Sequence, residues 1–238
     1  MDTLFYLCCI AFLGGLVQGL TGFGVVLVAL PLMGFFIDVK TAIPLILLLG
    51  LVINCTLLSQ LLKHFDYKKW ILLFLFSLPG IPLGIYVLKY VDSRHIEFLI
   101  GFVVIVTPVF SMLSTSSSRE LNKLWAGIAG FFSGFLGGSI GATGPPIIIY
   151  AALQPWSKEE IKTTMVSYFI LTGLGILMFY LFNDLITKKI LISFGYCVLP
   201  LVSGVLCGVF IFNRINDKLY KHVINILLIF LGIMLIAK

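Results

Sequence analysis

The chain has 238 residues, of which 60% are hydrophobic and 11% charged, and its mean hydropathy is +1.14. A soluble domain of this length needs a polar surface that the composition does not supply, so a water-soluble globular protein is excluded and a membrane protein is expected. The net charge of +6 does not imply a nucleic-acid partner: the 16 Lys and Arg residues fall in short clusters between apolar runs, as loop charges do, with no basic face interleaved with aromatics.

About 20 apolar residues cross a hydrocarbon core. On that measure eight hydrophobic blocks are predicted, at 3–36, 41–62, 70–89, 96–113, 124–154, 161–182, 189–212 and 222–237. Ahead of block one, Met1-Asp2-Thr3 lacks the positive stretch of a secretory signal, so this block is expected to be retained. Blocks one and five each exceed 30 residues, too long for one straight crossing at about 1.5 Å per residue. Both carry a glycine-rich interruption. The first runs Gly15-Leu-Val-Gln18-Gly19-Leu-Thr21-Gly22-Phe-Gly24, and the second Gly130-Phe-Phe-Ser133-Gly134-Phe-Leu-Gly137-Gly138-Ser139-Ile-Gly141-Ala-Thr143-Gly144-Pro145-Pro146. Gly15, Gly19 and Gly22 map onto Gly130, Gly134 and Gly137 with one offset, 130 − 15 = 115.

The expected fold is therefore an all-α integral membrane protein of eight blocks in two four-block repeats. The repeats are 1–113 and 124–238, joined by the polar linker 114–123. Lys68-Lys69 before block three resembles Lys188-Lys189 before block seven, and Gly84 matches Gly204 at the same separation of 120. If all eight blocks cross, the 16 Lys and Arg divide 8 to 8 between the two sides. If blocks one and five dip in and return, the division becomes 10 to 6, with the richer side holding the loops 63–69, 114–123, 155–162 and 213–222. That side is then cytoplasmic, and the halves are inverted repeats of a multi-pass plasma-membrane protein.

Non-helical backbone at membrane depth must be buried or line a wet cavity, and matched breaks in two halves point to a transporter's central site. A half-helix starting at such a break offers free N–H groups and a positive dipole end to an anion. The candidate donors are the amides of Thr21 to Gly24 and of Gly138 to Gly144. The side chains of Gln18, Thr21, Ser139 and Thr143 add hydrogen bonds, and Pro145 and Pro146 suit a first helical turn. The candidate substrate-binding set is Gln18, Thr21, Gly22, Gly24, Asn54, Ser139, Gly141, Thr143, Gly144 and Pro145, with Ser167, Tyr168 and Thr172 as further polar residues inside block six. Gly15, Gly19, Gly130 and Gly134 fit close helix packing better.

Nothing in the apolar segments suits catalysis: there is no His-Glu-x-x-His, no facing Asp pair, and no Ser with a His at plausible depth. Asp38 and Glu97 sit at block edges, which disfavours a proton pump. The five cysteines, Cys8, Cys9, Cys55, Cys197 and Cys207, lie in apolar stretches without metal-ligand spacing and read as buried hydrophobes. No cofactor or metal is expected. An assembly scaffold remains the alternative class, and it leaves the paired breaks unexplained.

The two glycine segments, with Gly144-Pro145-Pro146 closing the second, resemble the TauE/SafE sulfite exporter family over essentially the whole chain. The Ala142-Thr143 that precedes this Gly-Pro-Pro stands where many members have more glycine. The resemblance implies outward transport of sulfite, an organosulfonate such as sulfoacetate, or a similar small anion. Import of a sulfur-containing or carboxylate anion is the alternative, since some members are thought to import. The lipid bilayer is the expected surrounding, and a homodimer is compatible with the resemblance without being implied by it.

Overall fold

The computed structural model describes residues 2–21, 25–61, 67–113, 121–212, 226 and 229–237. Among them the chain is helical, without a β-strand: α1 (Asp2–Thr21), α2 (Val25–Met33), α3 (Val39–Leu61), α4 (Tyr67–Ser77), α5 (Gly80–Tyr90), α6 (Ser93–Leu113), α7 (Lys123–Ile140), α8 (Gly144–Ala152), α9 (Lys158–Phe182) and α10 (Lys188–Phe212), followed by helical residues 229–237. Most of the linker 114–123 and the start of block eight lie outside the described residues. Five of these helices are long and apolar enough to cross a membrane, or six when α4 and α5 count as one span. Large apolar side chains stand outermost, with Phe182 and Leu199 nearly four-fifths exposed. Lipid, as the solvent, accepts such a surface.

Blocks one and five are broken, as their lengths require. Block three, expected to be continuous, is broken as well: α4 ends at Ser77, Pro79 precedes α5, and the two helices bend by 45°. Proline at 79 has no N–H to continue the ladder, and its ring opposes the preceding turn. Proline alone does not decide such a break, because Pro31, Pro44, Pro108 and Pro200 lie inside continuous helices.

The chain divides into two compact units, and each draws on both halves of the sequence. Unit 1 comprises Met1–Ile53, Asp92–Val109 and Ile186–Lys238. Here α1 lies along α10 with backbone against backbone: Gly15 faces the Leu201 carbonyl, Gly19 that of Val205, Gly204 that of Phe12 and Gly208 that of Leu16. Partner numbers rise together, so the helices run parallel. Any side chain at these positions would overlap a carbonyl, and small residues of this kind carry helix association where lipid competes for every apolar face. The chain then doubles back, since Gly14 of α1 faces Val25 and Ala29 of α2. Fifteen residues of straight helix would separate Gly14 from Ala29 by about 22 Å. Tyr6 near the start of α1 stacks on Phe36 beyond α2, with ring centroids 4.7 Å apart. Block one is a helical hairpin whose ends meet.

Unit 2 comprises Asn54–Val91 and Phe110–Leu185. In it α7 lies along α4 and α5, with Gly130 facing the Leu73 carbonyl, Gly134 that of Ser77, Gly80 that of Phe131 and Gly84 that of Phe135. This pair too runs parallel. The same helix runs parallel to α9, because Ser133 meets Tyr168 while Gly137 and Gly138 meet Ile176 and Tyr180. A simple crossing by block five would have set α9 antiparallel to α7. Instead α8 brings the chain back, and the Leu121 amide donates to Gln154 Oε1 at 3.4 Å, joining the two ends of the block. Tyr6 and Leu121 stand 121 − 6 = 115 apart in sequence, the offset of the glycines, whereas their partners Phe36 and Gln154 stand 154 − 36 = 118 apart.

With that offset fixed, the contacts bear on one sequence anchor. Gly208 faces the Leu16 carbonyl as Gly80 faces that of Phe131, and 131 − 16 = 115. At that offset the contacts relate Gly80 to Gly208, a different pairing from the Gly84–Gly204 match expected from the sequence.

Candidate anion site at the helix breaks

The α7–α8 turn is built from the backbone outward. Gly141 closes α7 in the left-handed region, at φ 71°, which a side chain would resist. Its N–H donates to the Gly137 carbonyl at 3.0 Å, and the Ala142 N–H to that of Leu136 at 3.3 Å. These two amides, expected to face an anion, are thus committed to ending α7. A helix normally leaves four N–H groups without an intrahelical partner at its start. In α8 two of those positions are Pro145 and Pro146, which have no N–H. The amides left to a ligand are those of Thr143 and Gly144.

Thr143 itself is held by its methyl. A Cβ at Gly137 would overlap Thr143 Cγ2, so that glycine is the socket for the methyl group. The Thr143 hydroxyl has no hydrogen bond among the described residues. Its carbonyl accepts from Ser133 Oγ at 2.6 Å, and Ser133 Oγ in turn accepts from the Tyr168 phenol at 2.8 Å. Tyr180 donates to the Gly138 carbonyl at 2.9 Å, satisfying one of the acceptors that α7 leaves at its C-terminal end. Ser139, a predicted ligand, is buried and donates back to Phe135 within its own helix at 2.8 Å.

Between α1 and α2 a side chain makes a comparable tie. Gln18 Oε1 accepts from the Val25 N–H at 2.9 Å, capping the first residue of α2 from α1. Thr21 is the last residue of α1. Gly22 and Gly24 lie outside the described residues. Gln18 and Ser133 occupy equivalent positions, 133 − 18 = 115, and each ties the outgoing arm of its hairpin to the start of the returning one.

Sequence comparison places this architecture. Residues 7–235 match the profile of the family described as "Sulfite exporter TauE/SafE". The chain belongs to the TauE/SafE family. It is accordingly a membrane transporter and not an enzyme. A similar protein is the "Probable sulfite/organosulfonate exporter TauE" of Cupriavidus necator, 23% identical over 198 residues that cover 80% of this chain and 77% of the relative. No solved structure matches the chain.

In this TauE/SafE chain the second break gathers Gly141, Thr143, Gly144 and Pro145, together with Ser139 one turn back along α7. Asn54 is buried on α3. Ser167 and Thr172 are buried on α9, and Ser167 Oγ has no hydrogen-bond partner among the described residues. The sequence reading missed Ser133 and Tyr180. Ser133 was discoverable, because it falls where Gln18 falls in the first copy; Tyr180 carries no such signal. At the two ends of this hairpin stands a charged cluster. Lys69 pairs with Glu160, its ammonium 5.4 Å from the centre of the Trp156 ring, and Ser157 and Glu160 cap α9 reciprocally. The Lys69 hydrogen bond first, and the Ser157 backbone N–H second, pull the Glu160 carboxyl down to about 2.

Proposed function

We propose that the chain is a plasma-membrane permease carrying a small oxyanion, sulfite or an organosulfonate, outward, with the anion held at the glycine-rich helix breaks. One observation carries the site: the Thr143 and Gly144 amides head a helix inside a hairpin turn, beside a threonine hydroxyl that has no partner among the described residues. Such an N-terminus binds an oxyanion without a fixed cation, through directed N–H groups and the helix dipole. Family membership, and the printed name of the C. necator relative, favour sulfite or a sulfonate over other anions.

The hairpins argue for inverted repeats. Residues 121 and 154 meet at one end of unit 2, where Lys69 and Glu160 also meet, which groups the loops 63–69, 114–123 and 155–162. Lys89 and Asn183 meet at 3.3 Å at the other end of that unit, and within unit 1 Asp38 meets Ser93 at 3.0 Å. The three grouped loops carry seven of the ten Lys and Arg on the richer side of the 10-to-6 division, which favours that side being cytoplasmic. A cell interior that is negative drives an anion out with about 2.3 kcal/mol per charge per 100 mV, so export requires no proton relay.

Radiolabelled sulfite flux from proteoliposomes with an imposed potential tests the proposal. Efflux that increases when the lumen is made negative, without a pH gradient, is expected. Absence of flux for sulfite, sulfoacetate and taurine under either polarity would refute it, and flux only with an inward gradient would make the protein an importer.

A further inference from the structure

Helical Ser and Thr hydroxyls ordinarily turn back onto their own helix. Ser77, Thr107, Ser139 and Ser203 do so here, donating to carbonyls three or four residues earlier. Ser133 does not. Its hydroxyl donates ten residues ahead, across the break, to the Thr143 carbonyl, while Tyr168 supplies a proton to its oxygen from α9. Both Ser133 and Tyr168 are wholly buried. A serine has one proton to give. Accepting from Tyr168 leaves that proton for Thr143, and each bond polarises the next.

The acceptor matters because of what shares its plane. The Thr143 carbonyl and the Gly144 N–H belong to one trans peptide, in which C=O and N–H point in opposite directions. Fixing the carbonyl toward Ser133 fixes the Gly144 N–H away from it, and drawing electron density to the oxygen makes that N–H a better donor. We propose that Tyr168 and Ser133 are positioning residues for the anion, acting through the Thr143–Gly144 peptide: the relay Tyr168 → Ser133 → Thr143 aims and strengthens the Gly144 amide without touching the substrate. This rests on the reading of the α8 N-terminus as the anion site. The corresponding bond in the first hairpin differs in kind, since Gln18 Oε1 accepts from the Val25 N–H.

The test compares Tyr168→Phe, Ser133→Ala, the double variant and Tyr180→Phe in reconstituted vesicles, reading initial sulfite flux against concentration and thermal stability in detergent. Tyr180 is the control, because its bond ends on the Gly138 carbonyl of α7, outside the Thr143–Gly144 peptide. Tyr168→Phe and Ser133→Ala are each expected to raise KM about tenfold, equivalent to about 1.4 kcal/mol, while the maximal rate stays within about twofold. The double variant should match Ser133→Ala, since both break one relay. Tyr180→Phe should lower the melting temperature and leave KM unchanged. An unaltered KM in Tyr168→Phe, with wild-type flux normal, overturns the inference even where Ser133→Ala fails to fold. Equal KM increases in Tyr180→Phe reduce the effect to general loosening and overturn it as well. A wild type that carries no sulfite refutes the site reading itself, a result distinguishable from either.

Discussion

Glycine at position 138 carries the contact between α7 and α5, and replacing it with alanine should separate them. A Cβ there would lie 2.5 Å from the Ile81 carbonyl oxygen, 3.1 Å from the Ile85 nitrogen and 3.3 Å from the Gly84 carbonyl carbon. Real Cβ atoms essentially never approach within 3.0 Å, so the helices must move apart by at least 3.0 − 2.5 = 0.5 Å. The obstructing atoms are backbone and have no rotamer to yield. Overpacking of this kind costs about 1–3 kcal/mol. Gly50 in α3 is the opposite case, with no atom within 4 Å of its would-be Cβ. Alanine there removes only glycine's helix penalty and should stabilise by about 0.5–1 kcal/mol. Thermal unfolding of both variants in one detergent provides the comparison. Gly138→Ala should melt several degrees below wild type, and Gly50→Ala at or slightly above it. Equal melting temperatures for the two variants would refute the claim that backbone contact at glycine, and not helix propensity, holds this unit together.

Other consequences are equally specific. Thr143→Val keeps the methyl in its Gly137 socket and removes the hydroxyl, so sulfite flux should fall several-fold with the melting temperature unchanged; normal flux would remove Thr143 from the site. Gly141→Leu forces a side chain into the left-handed region at φ 71°, at about 1–2 kcal/mol, and should abolish flux more completely than Thr143→Val. Glu160 bears on pH. Its folded carboxyl is depressed from 4.5 to about 2, so its contribution is present above 4.5 and is lost as pH falls toward 2. Wild type should therefore lose more thermal stability across that window than Lys69→Met, in which the main cause of the depression is gone. Parallel pH profiles would show that the pair contributes nothing.

The helices were legible because lipid demands long apolar runs, and among the described residues the block edges fell within a few residues of the helix ends. Block one, for instance, is expected at 3–36, and α1 and α2 run from Asp2 to Met33. The interruptions in blocks one and five were legible because glycine clustered where length exceeded one crossing. Block three gave no such warning in its length, which is that of one span; the signal lay in Pro79-Gly80 followed by Pro82, which Pro44 and Pro200, each between Ile or Leu residues inside a continuous helix, do not share. The composition of the break was also readable only in part. That Thr143 and Gly144 would meet at a helix start followed from Pro145 and Pro146, but the commitment of Gly141 and Ala142 to capping α7 depends on φ. Ser133 escaped because a serine inside a helix normally bonds to its own turn, and nothing local reveals that Tyr168, thirty-five residues on, will redirect it.

Everything proposed for the site depends on block five entering and leaving the membrane on one side. In a chain with Cys8, Cys9, Cys55, Cys197 and Cys207 replaced, single cysteines at Asn122, Pro155 and Thr187 can be labelled in intact cells and in inverted vesicles with an impermeant maleimide. All three positions are exposed, Asn122 and Pro155 flank the hairpin, and Thr187 follows the single span of α9. Labelling of Asn122→Cys and Pro155→Cys only in inverted vesicles, and of Thr187→Cys only in intact cells, is the predicted result. Labelling of Asn122→Cys and Pro155→Cys from opposite sides would make block five a crossing and contradict the account.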